Sequence, residues 1–237
     1  MASMEEAPVV FQPLADRTVD RSAAYAILLG ELLHLVDAEP PALDQPDLRS
    51  GRAWRHRARR AVGAAVADRA MLTDEAGPVP DAWFTPLIRA AVHEPDPSFV
   101  RDLVGPTVTA FGRRRVRLAL LDHVETGIAA DAAGAARAWY STIVPLRYRT
   151  SLNTPTQESL GERAKYYDLD RRYREVGLRR FVADDDVDVR RCLLPGLPLS
   201  PDAYPTDMHP LVTQAVEIAR SSEDEYLRHR VEIQLRR

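Results

Sequence analysis

The densest group of side chains that could do chemistry is an acidic run of four carboxylates within five residues: Asp184, Asp185, Asp186 and Asp188. Such carboxylates repel one another unless they are neutralised, so a cation site or a catalytic acid pair is one interpretation. The other interpretation is helix capping, because free N–H groups at a helix start stabilise carboxylates. Arg190 and Arg191 follow at about one helical turn, and we favour capping.

Histidine and cysteine do not form a recognisable metal motif. The six histidines lack H-E-x-x-H or any other metal-ligand spacing, and the single cysteine, Cys192, completes no standard zinc pattern with them. Cys192 lies among Val189, Leu193 and Leu194, which predicts a buried small apolar residue and not a nucleophile. One cysteine also excludes a disulfide within the chain. We therefore predict no metal site.

The glycine-rich and nucleophile motifs of common enzymes are also missing from the sequence. It contains no G-x-x-x-x-G-K-[ST], no G-x-G-x-x-G and no G-x-S-x-G. We therefore predict no cofactor, no catalytic residue and a non-enzymatic protein. An enzyme that uses the acidic run in an unrecognised way ranks third among our interpretations.

Arginine clusters provide the hypothesis of phosphate binding. Two clusters stand out: Arg113, Arg114, Arg115 and Arg117, and Arg171, Arg172, Arg174, Arg179 and Arg180. Both could contact nucleic acid, or both could be solvated helix faces paired with carboxylates. The net charge of −3 favours the second interpretation, and no basic segment with interleaved aromatics supports the first. Nucleic acid is thus possible as a partner but not favoured.

The most polar interruption in the second half of the chain reads RYRTSLNTPTQES, over residues 147–159. Loops on a rigid scaffold often carry binding residues, and arginine and tyrosine dominate interface hot spots. The candidates for protein contact are Arg147, Tyr148, Arg149, Asn153 and Gln157. The alternative is a helix-to-helix loop in which Thr154 and Gln157 form a capping box.

Helices must position all of these groups, because apolar residues recur at three- and four-residue spacing along the chain. Thr18 is predicted to cap a first helix of about five turns. Further helices are predicted over 53–71, 82–92, 97–111, 113–126, 131–149, 156–182, 187–197, 207–221 and 223–235. Asp96, Thr154 and Ser222 are the predicted caps of later helices, and no convincing strand is found.

A faint internal repeat relates two of these helices. When Arg101 is aligned with Arg190, Asp96 falls over Asp185 and Pro106 over Pro195. The interval of 89 residues (190 − 101) is about twice a repeat of the HEAT and armadillo class. This spacing predicts stacked helix pairs.

One segment, over residues 83–104, reads WFTPLIRAAVHEPDPSFVRDLV and resembles a HEAT repeat, with Pro86 in its first helix and Val100 opening the second. The resemblance implies that Asp96 caps the second helix and that Arg101 ties neighbouring repeats together, with Asp185 and Arg190 in the same roles. The prolines at 106 and 195 depart from the pattern, as does the long stretch over 137–190. We predict an all-α fold, either an irregular HEAT-like α-solenoid or a multi-helix bundle, with a tail over 1–17 and one domain over 18–237.

A second resemblance concerns the start of the chain. The segment EEAPVVFQPLADRTVDRSAAYAILL, in a sequence with many arginines and only Lys165 as lysine, resembles an actinomycete family associated with aerial mycelium formation. This resemblance implies a regulatory or interaction role in differentiation.

Composition predicts an ordinary globular chain: 237 residues, 45% of them hydrophobic, can bury a sizeable core. The N-terminus is acidic where a secretory signal is basic, and no apolar run approaches the roughly 20 residues that span a bilayer. We expect a cytoplasmic interaction or regulatory protein with other proteins as partners, no membrane contact, and a homo-oligomer as one possibility. The alternative is a nucleic-acid-binding helical repeat protein.

Overall fold

The structure is a computed structural model that describes residues 19–42, 51–72, 78–149 and 154–236. Over these ranges the chain is predominantly helical, which confirms the predicted all-α class. Its α-helices are α1 Val19–Leu35, α2 Arg52–Met71, α3 Phe84–His93, α4 Val100–Phe111, α5 Arg113–Thr126, α6 Ala129–Tyr140, α7 Gln157–Ala164, α8 Tyr167–Ala183, α9 Val187–Leu193, α10 His209–Ser221 and α11 Glu225–Leu235. The predicted tail and Thr18 lie outside the described residues.

Two short strands between α6 and α7 were not predicted. β1, Tyr148–Arg149, pairs antiparallel with β2, Thr154–Pro155. Each strand has only two residues, too few for the alternation of apolar and polar side chains that reveals a strand.

The predicted helix over 131–149 is wrong at its C-terminal end, since α6 ends at Tyr140. Just beyond this end, Thr142 donates two hydrogen bonds to the carbonyl oxygen of Trp139, one from its backbone N–H at 2.9 Å and one from its Oγ1 at 2.7 Å. Pro145 then disfavours helical geometry for the residue before it. The polar segment that follows therefore begins without helical structure.

The helix predicted over 156–182 is in fact two helices, α7 and α8, separated at Lys165 and Tyr166. The backbone at Tyr166 has φ of −123°, outside the helical range. Arg114 on α5 donates a 3.1 Å hydrogen bond to the carbonyl oxygen of Lys165. The break between α7 and α8 thus coincides with a contact from a distant helix. The local sequence does not reveal this contact.

The helix predicted over 187–197 is also shorter than expected. The α-helix α9 gives way to a 3₁₀ turn at Leu194–Gly196, where Pro195 cannot donate the hydrogen bond of a continuing helix.

The predicted caps are partly right. Asp96 caps the turn that leads into α4, since its Oδ1 accepts a 3.0 Å hydrogen bond from the N–H two residues later. Thr154 is not a cap, because it lies in β2, and Thr156 caps α7 instead. Asp224, and not Ser222, caps α11. Its Oδ1 accepts a 3.0 Å hydrogen bond from the backbone N–H of Leu227.

The helices pack mainly against near neighbours in the chain. Within successive pairs, α1 packs on α2, α3 on α4, α5 on α6, α8 on α9 and α10 on α11. Between pairs, α1 contacts α3, α3 contacts α5, α5 contacts α8 and α8 contacts α10, while α2 contacts α4, α4 contacts α6, α6 contacts α9 and α9 contacts α11. The buried apolar side chains of these helices form one continuous core.

The alanine-rich helix α6 is the most closely packed element, with α3, α4, α5 and α9 around it. Its buried alanines are Ala130, Ala132, Ala133, Ala135, Ala136 and Ala138. At Gly134, an added Cβ would overlap the carbonyl oxygen of Val92 on α3. Only glycine permits the present separation of these two backbones.

A buried ion pair joins α2 to the turn after α3. Arg59 Nε lies 2.5 Å from one carboxylate oxygen of Glu94, and Arg59 Nη2 lies 3.1 Å from the other. The two side chains are 1% and 0% exposed. The backbone N–H of Asp96 also donates to Glu94, at 3.0 Å, and the guanidinium lies 4.4 Å from the ring centre of Phe99. This pair fixes the turn that the HEAT resemblance identified.

No helix within the described ranges is both long enough and apolar enough to cross a membrane.

The substitution Gly134→Ala should destabilise the protein by roughly 2–3 kcal/mol, because the methyl group forces α6 away from α3. Thermal and urea unfolding followed by circular dichroism measure the effect. Gly30→Ala in α1 is the matched control, since its Cβ meets no atom within 4 Å. The control should stabilise by about 0.5–1 kcal/mol. Equal midpoints for the two variants would show that the α3–α6 approach is not tight.

Glu94→Ala should cost about 3–5 kcal/mol, because it leaves the Arg59 guanidinium buried without its counter-charge. Chemical denaturation gives the free energy of unfolding. Glu232→Ala removes a carboxylate that lies 2.8 Å from Arg220 on the surface, and it should leave the unfolding midpoint nearly unchanged. A small decrease in the free energy of unfolding for Glu94→Ala would mean that water or a neighbouring group compensates the buried charge of Arg59.

Candidate functional site

A cavity of about 750 Å³ lies between α6, α8, α9 and α11, with α7 at its edge. Arginine and tyrosine dominate its polar lining, and we call it the arginine–tyrosine cavity. Its defining residues are Arg137, Tyr140, Arg163, Tyr167, Arg174, Arg191, Tyr226 and Arg230. The volume lies in the range of ligand-binding pockets.

Three helices each contribute an arginine and an exposed tyrosine to this cavity. On α6 the pair is Arg137 and Tyr140, on α8 it is Tyr167 and Arg174, and on α11 it is Tyr226 and Arg230. The spacings of three, seven and four residues place each pair on one helix face. The three tyrosines are 74%, 53% and 45% exposed in chain order, so they surround the opening.

Two buried aromatic rings support the cavity from beneath. Trp139 and Tyr173 stack with their ring centres 4.4 Å apart and their planes within 8° of parallel. Gly196 packs against this support, since an added Cβ would lie 3.3 Å from the Tyr173 ring. Burial raises the pKa of Tyr173 well above its ordinary value, so its hydroxyl stays protonated. The inner wall is thus apolar, uncharged and held by packing.

Arg117 fastens the helices that carry this wall. It is 2% exposed, and its Nη1 lies 3.1 Å from Asp170 on α8. Its Nε donates a 3.0 Å hydrogen bond to Thr142 Oγ1 after α6, and its guanidinium lies 4.6 Å from the ring centre of Trp139. Burial lowers the pKa of Arg117, while Asp170 opposes that shift. One buried cation therefore connects α5, α6 and α8.

The cavity carries more positive than negative charge. Of its lining residues, five are arginines and one, Asp170, is acidic. Asp170 is engaged by Arg117, while Arg191 is engaged by Asp224 and, at 3.5 Å, by Asp188.

Three lining arginines lack such compensation. Among the described residues, no carboxylate lies within 4.0 Å of Arg163, Arg174 or Arg230. All three are half-buried, and Arg230 Nε is buried without a hydrogen-bond partner. The cavity is therefore suited to an anionic ligand.

Cys192 also lines the cavity and is partly buried. Burial, together with Asp188 and Asp186, raises the pKa of its thiol to about 11, and Arg137 and Arg191 only partly oppose this shift. The side chain is a neutral thiol at physiological pH. This agrees with the predicted role as a small apolar residue.

The contact residues predicted in the polar loop do not line the arginine–tyrosine cavity. Arg147, Tyr148, Arg149 and Gln157 are all exposed near the β1–β2 hairpin. Asn153 lies outside the described residues. Their role in protein contact stays a prediction.

The acidic run confirms the capping interpretation at Asp186, but the cap role that the HEAT resemblance implied for Asp185 is wrong. Asp186 caps α9 by accepting hydrogen bonds of 2.8 Å from the N–H of Asp188 and 3.0 Å from that of Val189. Asp184 lies 2.8 Å from Arg180, and Asp185 lies 3.0 Å from Arg190. Over the ranges that the structure describes, no group of three histidine, cysteine or acidic residues could hold a metal ion.

The predicted arginine clusters are largely engaged by protein groups. Arg114 binds Asp168 through two nitrogens at 2.8 and 3.0 Å, and Arg115 lies 2.5 Å from Asp81. On α8, Arg172 lies 3.0 Å from Glu125 and Arg180 contacts Asp184. Arg174 differs from the rest because it faces the cavity.

Sequence reasoning missed the arginine–tyrosine cavity. Each arginine–tyrosine pair is visible as a helical spacing in the sequence, and this is the signal that could have found it. The packing of α6, α8 and α11 around one space is not visible, because these helices are far apart in the chain.

Comparisons with protein-family models, with curated proteins and with solved structures found no match for this chain.

The raised pKa of Cys192 predicts its reactivity. Only the thiolate is alkylated, so the rate of modification by iodoacetamide should keep rising as the pH increases toward about 11. Mass spectrometry at a series of pH values gives the profile, and the urea-unfolded chain is the control. The unfolded chain should level off near the ordinary cysteine pKa, about 8.5. The same plateau in the folded protein would show that Cys192 is solvated.

Proposed function

We propose that this protein is a non-enzymatic interaction or regulatory protein that recognises other proteins through the arginine–tyrosine cavity. The observation that carries this proposal is the convergence of one arginine and one tyrosine from each of α6, α8 and α11. Arginine and tyrosine are the residues that contribute most strongly to protein interfaces. The rigid support beneath them keeps the cost of ordering low on binding.

The proposed architecture is an irregular HEAT-like solenoid. Its support is the order of packing, in which the first helices of successive pairs contact one another in turn and the second helices do the same. Repeat proteins stack in this way, each unit on its neighbours. The short helix α7 interrupts the series between the third and fourth pairs.

The residues that the HEAT resemblance singled out support this architecture unequally. Arg190 donates a 3.3 Å hydrogen bond to the carbonyl oxygen of Phe181, and so joins α9 to α8. Arg101 is exposed. In the turn before α4, the buried pair of Arg59 and Glu94 joins neighbouring helix pairs instead.

The chemistry of the cavity favours binding over catalysis. Cys192 is a neutral thiol, so it is a poor nucleophile. Asp170, the one acidic residue of the lining, is paired with the buried Arg117, 3.1 Å away. The remaining polar groups of the lining are mostly arginines and tyrosines, which suit recognition.

Nucleic acid is the second candidate partner, because arginines beside stacked aromatic rings also bind single strands. The engagement of Arg114, Arg115 and Arg172 by carboxylates makes it the weaker candidate, since these arginines are already paired within the protein. The resemblance of the N-terminal segment to the aerial-mycelium family would place the protein's role in development.

Affinity purification from the native cell, followed by quantitative mass spectrometry, tests the proposal. The double variant Arg174→Glu, Arg230→Glu should lose most of a partner that the wild-type protein recovers, because it reverses charge on two cavity helices. The matched control is Arg171→Glu, Arg236→Glu, which makes the same charge change at exposed positions outside the cavity. The control should retain the partner.

A separate variant, Arg147→Ala with Arg149→Ala, tests the polar loop. Loss of the partner in this variant alone would move the interface to the loop and contradict the cavity proposal. Unchanged melting temperatures in all variants ensure that the comparison concerns binding.

A further inference from the structure

We propose that the arginine–tyrosine cavity binds a short acidic peptide segment that carries aromatic side chains between its carboxylates. This inference rests on the proposed function and specifies the chemistry of the partner. It follows from three features of the cavity: uncompensated cations, exposed tyrosines and a limited extent of positive charge.

The cavity arginines that have no nearby carboxylate favour an anionic ligand. Arg163, Arg174 and Arg230 come from three different helices, and none has a carboxylate within 4.0 Å among the described residues. Because they are half-buried, they have lost part of their hydration without gaining a counter-charge. Carboxylates placed among them would supply charge-assisted hydrogen bonds, and arginine can bind a carboxylate through two nitrogens at once.

The exposed tyrosines favour a ligand that carries aromatic groups as well as negative charge. Tyr140 and Tyr226 are 74% and 45% exposed at the opening, and the wall beneath is the stacked pair of Trp139 and Tyr173. An isolated inorganic anion would leave these aromatic surfaces in contact with water. Aromatic side chains of a ligand would pack against them at the same time as its carboxylates meet the arginines.

The dimensions fit an extended peptide. Tyr167 and Arg174 are seven residues apart on α8, which corresponds to about 10 Å along the helix axis. An extended peptide advances about 3.3 Å per residue, so roughly three of its residues pass along this face. Because residues two apart in an extended chain point to the same side, an acidic residue and an aromatic residue two positions apart would meet opposite ends of this face.

The limited extent of the positive charge disfavours nucleic acid. Asp188 and Asp224 contact Arg191, so carboxylates lie directly beside one wall of the cavity. A strand with a phosphate at every nucleotide would encounter them as it left the cavity. A short peptide, in contrast, can carry its few carboxylates only at the positions that contact the arginines.

Fluorescence anisotropy of purified full-length protein tests the inference at physiological salt. The probe is a fluorescein-labelled decapeptide in which pairs of glutamates alternate with pairs of tyrosines, so that each side of the extended chain carries both residue types. Three probes with the same label serve for comparison. One decapeptide has lysines in place of the glutamates, another has serines in place of the tyrosines, and the third probe is decathymidylate. The wild-type protein should bind the glutamate–tyrosine probe more tightly than each of the other three.

Variants then locate the binding site. Arg174→Glu with Arg230→Glu should weaken the glutamate–tyrosine probe by about tenfold or more, and Tyr140→Ala with Tyr226→Ala should weaken it severalfold. Both tyrosines are exposed, so we expect their replacement by alanine to leave folding intact. The tyrosine variant therefore tests the site even if the charge reversal impairs folding. Arg171→Glu with Arg236→Glu should remain within about twofold of wild type, because exposed charges outside the cavity contribute little.

Several results would overturn the inference: no binding of the glutamate–tyrosine probe, equal binding of the lysine–tyrosine probe, binding that no cavity variant weakens, or tighter binding of decathymidylate. If the cavity variant loses its cellular partner while the glutamate–tyrosine probe does not bind, this inference fails and the proposed function stands. If the probe binds in the cavity while partner recovery is unaffected by the same variant, the proposed function fails and the inference stands.

Discussion

The close approach of α6 to its neighbours is the constraint on which the rest of the structure depends. Alanine and glycine give the middle of this helix little side-chain volume, and at Gly134 the carbonyl oxygen of Val92 leaves no space for a Cβ. Four helices can therefore surround α6 at short distance. The last turn of the same helix carries Arg137, Trp139 and Tyr140 into the arginine–tyrosine cavity. Packing in the middle of the molecule thereby fixes the orientation of the groups that we propose for recognition.

Two kinds of arginine have opposite roles in this protein. Arg59 and Arg117 are buried, are paired with Glu94 and Asp170, and hold helices together. Arg163, Arg174 and Arg230 of the cavity are half-buried with no carboxylate within 4.0 Å among the described residues, so they retain their capacity to bind an anion. An arginine-rich composition by itself does not distinguish these roles, because the distinction depends on which acidic residue lies opposite each guanidinium. For the same reason the paired clusters on α5 and α8 are poor evidence of phosphate binding.

Sequence reasoning succeeded where the determinants are local. The bounds of α5 and the cap at Asp96 follow from helical spacing and from one side chain beside its own backbone. It failed where a distant group decides the outcome, as at Lys165, whose carbonyl oxygen is bound by Arg114 from another helix. It also extended α6 too far, since the helix predicted over 131–149 ends at Tyr140, five residues before Pro145. The candidate site combines both cases, since each arginine–tyrosine pair is local and their convergence is tertiary.

Hydrogen–deuterium exchange with and without the glutamate–tyrosine decapeptide is the most direct measurement of where this protein binds its ligand. We expect slower exchange at the C-terminal turn of α6, the first half of α8 and the first half of α11, with no change in the β1–β2 hairpin. Protection confined to the hairpin, or protection at only one of the three helices, would contradict a recognition site built by their convergence.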